Sequence, residues 1–209
     1  MSETRLHQTL RTVWRDLESA GASFALVGGL AVSARTEPRF TKDLDVAVAV
    51  TGDREAETLV KRLREHGYRI RALVEHEALG RLATVRLVPP GLDVLFVDML
   101  FASSGIEQEI VAAATPVEII EGLTVRVASL AHLIATKVLA RDDAHRPQDR
   151  ADLIALLAEA SDADLLSARD ALRTIQTRGA GRGKDLIGEF ESLLGGASPG
   201  AESQSDRER

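Results

Sequence analysis

The chain has 209 residues, enough for one substantial core or for a compact α/β unit followed by a smaller helical one. Apolar residues make up 44% but aromatics only 3%, so the core must be built from Leu, Val, Ile and Ala. The absence of Cys excludes disulfides, thiolate zinc sites and cysteine nucleophiles, and a net charge of −6 argues against a general nucleic-acid coat.

Any metal must therefore be held by oxygen or imidazole. No apolar run approaches the roughly 18 residues of a membrane span and no signal-peptide pattern occurs, so no membrane association is expected and a cytoplasmic location is the default. Arg35, Arg39 and Lys42 form a local basic cluster that can face a phosphate.

In chain order, Leu6, Leu10, Val13, Trp14 and Leu17 recur at helical spacing, which predicts an amphipathic helix over the first twenty residues, ended by Gly21. Phe24 to Val27 reads as a buried strand, Gly28-Gly29 as a tight turn, and 30–34 as the start of a helix. After a polar loop containing Pro38, the β-branched run 43–50 predicts a second strand. Asp53 is expected to cap a helix reaching Gly67, with Leu59, Val60 and Leu63 inward. Segments 68–74, 82–88 and 92–100 read as strands, the last two joined by Pro89-Pro90-Gly91 into an antiparallel hairpin. A helix is expected over 106–114, and two short extended pieces over 117–127 meet at Glu121-Gly122. From Ser129 the pattern turns helical, over 130–140, 149–158, 164–175 and 186–194; beyond Gly195 the composition is that of a disordered tail. The expected organisation is an α/β domain over 1–127, with a small mixed sheet flanked by helices, a C-terminal helical lobe over 128–195 and the tail at 196–209. There is no internal repeat.

Side chains alternate along a strand, so Asp43 and Asp45 share one face while Leu44 points to the other. Two carboxylates this close repel each other unless a cation neutralises them, and such oxygen donors suit Mg²⁺ or Mn²⁺. Alternatively, Asp43 caps a loop and Asp45 takes a salt bridge from Arg39 or Lys42. Asp98 interrupts an apolar strand, where an unpaired carboxylate would cost several kcal/mol. Placed beside Asp43 and Asp45 it would complete a three-carboxylate site able to act on a phosphoryl group, with Asp93 as the rival third member. Gly28 and Gly29 end a strand and open a helix, so their N–H groups can approach a phosphate. The five histidines share no ligand spacing, and no Ser-His-Asp set is suggested.

Taken together, Gly28-Gly29, Thr41-Lys42-Asp43-Leu44-Asp45 and Asp98 resemble the signature of the polymerase-β-like nucleotidyltransferase superfamily. The later run Leu133-Ile-Ala-Thr-Lys137, then Arg146-Pro-Gln-Asp149-Arg-Ala-Asp152-Leu153, is similar to the AbiEii/AbiGii-type nucleotidyltransferase toxin group. The resemblance spans about residues 20 to 158. It implies a glycine turn holding a nucleoside triphosphate, with Thr41 in the motif, and metals on Asp43 and Asp45 with Asp98 completing the site. Many superfamily members carry Ser where this chain has Gly29, which leaves backbone N–H groups to hold the triphosphate. Lys137 is then expected to project toward the phosphates from an exposed position, with Arg146, Asp149 and Asp152, in phase on the next helix, orienting it or binding substrate. The implied reaction moves a nucleoside monophosphate to a tRNA end or a protein hydroxyl, within a toxin–antitoxin or phage-defence pair that includes an antitoxin protein. The other readings of the same residues are an inactive nucleotide- or partner-binding module and a metal-dependent phosphohydrolase.

Overall fold

Leu10, Val13, Trp14 and Leu17 are all buried on one side of α1 (Arg5–Ser19), and Trp14 packs on Phe24 of β1 (Phe24–Val27) with ring centroids 4.8 Å apart. The computed structural model describes residues 5–37, 43–76, 79–91, 95–142 and 147–196. The expectations for Arg39, Thr41, Lys42, Asp93, Arg146 and the tail beyond 196 fall outside them. Helix α2 (Gly28–Arg35) starts at the first glycine itself, so the pair forms the helix's opening turn rather than a turn before it.

Next come β2 (Asp43–Val48), α3 (Asp53–Glu65), β3 (Arg69–His76), β4 (Arg81–Val88), β5 (Phe96–Leu100) and α4 (Glu107–Ala113). Leu59, Val60 and Leu63 are buried as expected, but the residue preceding α3 is Gly52, and Asp53 is already helical. The Asp53 carboxylate turns away from capping: it accepts from Arg81 Nε and from the Leu82 N–H, both at 3.3 Å, tying α3 to β4. The chain continues through β6 (Thr115–Ile120) and β7 (Leu123–Val127) to α5 (Leu130–Ala140), α6 (Pro147–Glu159), α7 (Asp162–Thr177) and α8 (Leu186–Gly196).

All seven extended segments join one mixed sheet, in the order β3-β4-β5-β2-β1-β7-β6. The fold is α/β, with β1–β7 and β2–β5 parallel and the remaining pairs antiparallel. Leu44, Val46, Val97, Met99, Val85 and Leu87 are essentially inaccessible, which makes the centre of the sheet an aliphatic core. The apolar core passes without a break from α1 through the sheet into α5, α7 and α8, across the point between β7 and α5 where the helical region begins. No described helix is long and apolar enough to cross a membrane.

Candidate active site

Parallel pairing of β2 with β5 sets Asp45 opposite Asp98, while Asp43, two residues earlier, stands opposite Phe96 on the same sheet face. Antiparallel pairing of β1 with β2 brings Val27 opposite Asp45, so the first turn of α2 begins beside that carboxylate. Gly28 has φ +65°, and a Cβ there would lie 2.0 Å from Oδ2 of Asp45. Only glycine satisfies both the backbone and the space. Val27 supplies no side-chain cap, which leaves the leading N–H groups of α2 without a capping side chain.

Asp98 is buried, and the compensation that its burial demands comes from a cation of the neighbouring strand. Arg86 of β4, its cross-strand partner, donates Nε to one carboxylate oxygen at 2.7 Å and Nη2 to the other at 2.6 Å. The guanidinium also lies over the Phe96 ring, 5.3 Å from its centroid. Arg86 is a site residue that sequence reasoning missed; its one signal was a cation in the apolar strand Leu82 to Val88. Among the described residues, no such fork reaches Asp45. Burial first, then the charges of Asp98 and Asp43, push its pKa up to about 7, against the opposing influence of Lys137 and Arg86.

Lys137 is not the exposed point charge expected. Its side chain on α5 is 13% accessible, and Nζ donates to Asp149 Oδ1 and lies near Asp152 Oδ2, both at 2.7 Å. Gln148 adds a bond to Asp152 at 3.2 Å. The helical phase of Asp149 and Asp152 thus places both carboxylates against the lysine. Arg35 likewise turns from any phosphate: it donates to the carbonyls of Val127 and Ala128 and to Thr115, holding α2 to the corner after β7.

These elements border a cleft of about 430 Å³ whose lining includes Gly28, Gly29, Asp45, Asp98, Lys137 and Asp149. At its far side Glu107 accepts the Ser104 N–H at 2.6 Å and the Ser104 hydroxyl at 2.8 Å, fixing the loop that follows β5. The donor set of Asp43, Asp45 and Asp98 is oxygen-only, as Mg²⁺ or Mn²⁺ requires. Among the described residues, no three His, Asp or Glu side chains stand gathered as a cation site. Strand register sets Asp45 opposite Asp98, and Asp98 gives both of its oxygens to Arg86. Each of those oxygens keeps a further lone pair, and Asp45, crowded by like charges, has an electrostatic need for a cation. On donor chemistry and shared face, the residues fit a divalent ion.

Residues 12–204 match the family model described as "Nucleotidyl transferase AbiEii toxin, Type IV TA system". None of the curated proteins matches the chain. Among solved structures, an antigenic nucleotidyltransferase-like protein of Paracoccidioides brasiliensis is 20% identical, over 88% of this chain and 91% of that one, with TM-score 0.51. That likeness is one of fold. Lincosamide antibiotic adenylyltransferase LnuA with lincomycin bound is 13% identical, over 77% and 100% of the two chains, with TM-score 0.49. ANT(2'')-Ia in complex with adenylyl-2''-tobramycin is 19% identical, over 91% and 99%, with TM-score 0.47.

Proposed function

We propose that this chain, which belongs to the AbiEii nucleotidyl transferase toxin family of type IV toxin–antitoxin systems, moves a nucleoside monophosphate from a nucleoside triphosphate to a hydroxyl of tRNA or protein, using Mg²⁺ or Mn²⁺ on Asp43, Asp45 and Asp98. Nucleotidyl transfer itself comes with the family; the metal, the acceptor, an antitoxin protein as partner and the residue roles are this reading. A divalent ion on those carboxylates would supply charge stabilisation at the α-phosphate and a lowered acceptor pKa.

The chain's own groups divide the remaining work. The uncapped N–H groups at Gly28 and Gly29 receive the triphosphate, aided by the positive end of α2. Lys137, held in place by Asp149 and Asp152, presents a fixed cation to the cleft. The acceptor oxygen attacks the α-phosphorus as the bond to the bridging oxygen breaks. Pyrophosphate leaves with that electron pair, and the acceptor's proton passes to a site carboxylate. Thr41 and Arg146 keep the nucleotide-binding roles that the motif implies.

One observation carries this reading: Asp45 and Asp98 stand opposite each other in adjacent strands, beside an uncapped glycine helix start, in one cleft. Incubation with each α-labelled triphosphate, Mg²⁺ and total RNA or protein tests it. Label on an acceptor supports transfer, whereas phosphate release without transfer, or binding alone, overturns it.

A further inference from the structure

Two cations line the cleft among the described residues, and only one is neutralised. Lys137 faces two carboxylates, whereas Arg182 has no acidic partner among the described residues: its Nη2 donates to the carbonyl and hydroxyl oxygens of Ser103, at 3.0 and 3.4 Å. Nε and Nη1 make no hydrogen bond to a described residue, so a guanidinium with most of its five donors open stands at the rim of a cleft that holds Asp45 and Asp98.

The backbone beneath it is equally unusual. Arg182 has φ +54°, the only non-glycine residue with positive φ among those described, although glycines at 181 and 183 flank it. A residue with a Cβ is disfavoured there, and the observed exception points to a use for the side chain. The loop, Arg178-Gly-Ala-Gly-Arg-Gly-Lys184, is also pinned on both sides. Arg178 donates to the Gly105 carbonyl and to Glu109, and Lys184 donates to the carbonyls of Leu139 and Arg141 at the end of α5. Ala180 is buried against Gly105, where an added Cβ would approach it to 3.1 Å. The loop therefore clamps the segment after β5 to the end of α5 and aims Arg182 from fixed anchors.

We propose that Arg182 forms a polyphosphate subsite, receiving the β- and γ-phosphates of the triphosphate and then the departing pyrophosphate. It rests on the reading of the cleft as a triphosphate site. A planar fork with open donors matches two phosphate oxygens at once, and the charge it brings is the one that neither Lys137 nor Arg86 can bring uncompensated.

Titration of the full chain in Mg²⁺ with inorganic pyrophosphate, the four ribonucleoside triphosphates and their monophosphates tests the subsite. Arg182→Gly suits the left-handed backbone, so the variant is expected to melt no lower than the parent. It should bind pyrophosphate and triphosphate about tenfold more weakly, with monophosphate affinity changed by less than about twofold, and Arg182→Lys should recover part of the loss. Unchanged pyrophosphate affinity in Arg182→Gly, or equal losses for mono- and triphosphate, overturns the subsite. If the parent transfers label while Arg182→Gly binds pyrophosphate as the parent does, only the subsite fails. If Arg182 governs pyrophosphate binding in a chain that transfers no label, the subsite stands and the transfer reading fails.

Discussion

Gly28 and Asp45 occupy adjoining space: the missing Cβ of the one would sit 2.0 Å from Oδ2 of the other. Gly28→Ala must therefore displace the carboxylate and also adopt φ near +65°, a conformation that costs an L-residue about 1–2 kcal/mol by itself. The variant should fold with reduced stability, lose the Mg²⁺-induced rise in melting temperature and lose nucleotide transfer. Thermal melts with and without Mg²⁺ check this; a variant that keeps its metal response would show that Asp45 is not confined by the α2 turn.

The pKa of Asp45, raised to about 7 by burial and by Asp98 and Asp43, makes a signed prediction about pH. Its unfolded value is about 3.9, so the folded state binds this proton more tightly. Stability is greatest with Asp45 protonated and falls as pH rises from about 4 to about 7, levelling above that. A cation needs the ionised form, so the stabilisation by Mg²⁺ should grow over the same interval. Asp45→Asn should be no less stable than the parent without metal and should lose the Asp45-linked fall, the metal response and transfer. A marked loss of metal-free stability with transfer retained would make Asp45 a structural ion-pair partner.

Lys137→Ala leaves Asp149 and Asp152 with side chains 8% and 1% accessible and no ammonium between them. Removing one member of a buried pair costs about 3–5 kcal/mol, so the variant should lose stability outright as well as triphosphate affinity. Denaturant unfolding measures the first effect. Lys137→Ala combined with Asp149→Asn and Asp152→Asn should recover much of the stability without restoring affinity.

Arg86→Gln removes a cation from beside three carboxylates while freeing both oxygens of Asp98. Because Arg86 is 38% accessible, solvent screening limits the metal-free loss to about 1–2 kcal/mol. Mg²⁺ should bind more tightly to the variant, by about tenfold if the net gain is near 1.4 kcal/mol. Weaker Mg²⁺ binding in calorimetric titration would mean that Arg86 holds Asp98 in the geometry a cation requires.

The elements and much of the motif were legible because their signals are local. Period-two alternation places Asp43 and Asp45 on one face however the strand is packed, and the 3.6-residue period puts Asp149 and Asp152 on one side of their helix. What each side chain meets is non-local. A tight Pro89-Pro90-Gly91 turn would set Arg86 opposite Val94; the longer connection sets it opposite Asp98, and that shift in register supplies the carboxylate's counter-ion. Lys137 read as exposed because nothing in its own helix shows that α6 will close over it with two aspartates. Sequence proximity puts Arg35 in a basic cluster that can face a phosphate, yet its guanidinium finds carbonyls more than 90 residues away. Arg182 carried no signal at all, since a glycine-flanked arginine is ordinary in a loop until the folded chain brings that loop to the rim of the cleft. Local periodicity decides which face a residue takes, and only the packed sheet and helices decide which charge stands across from it.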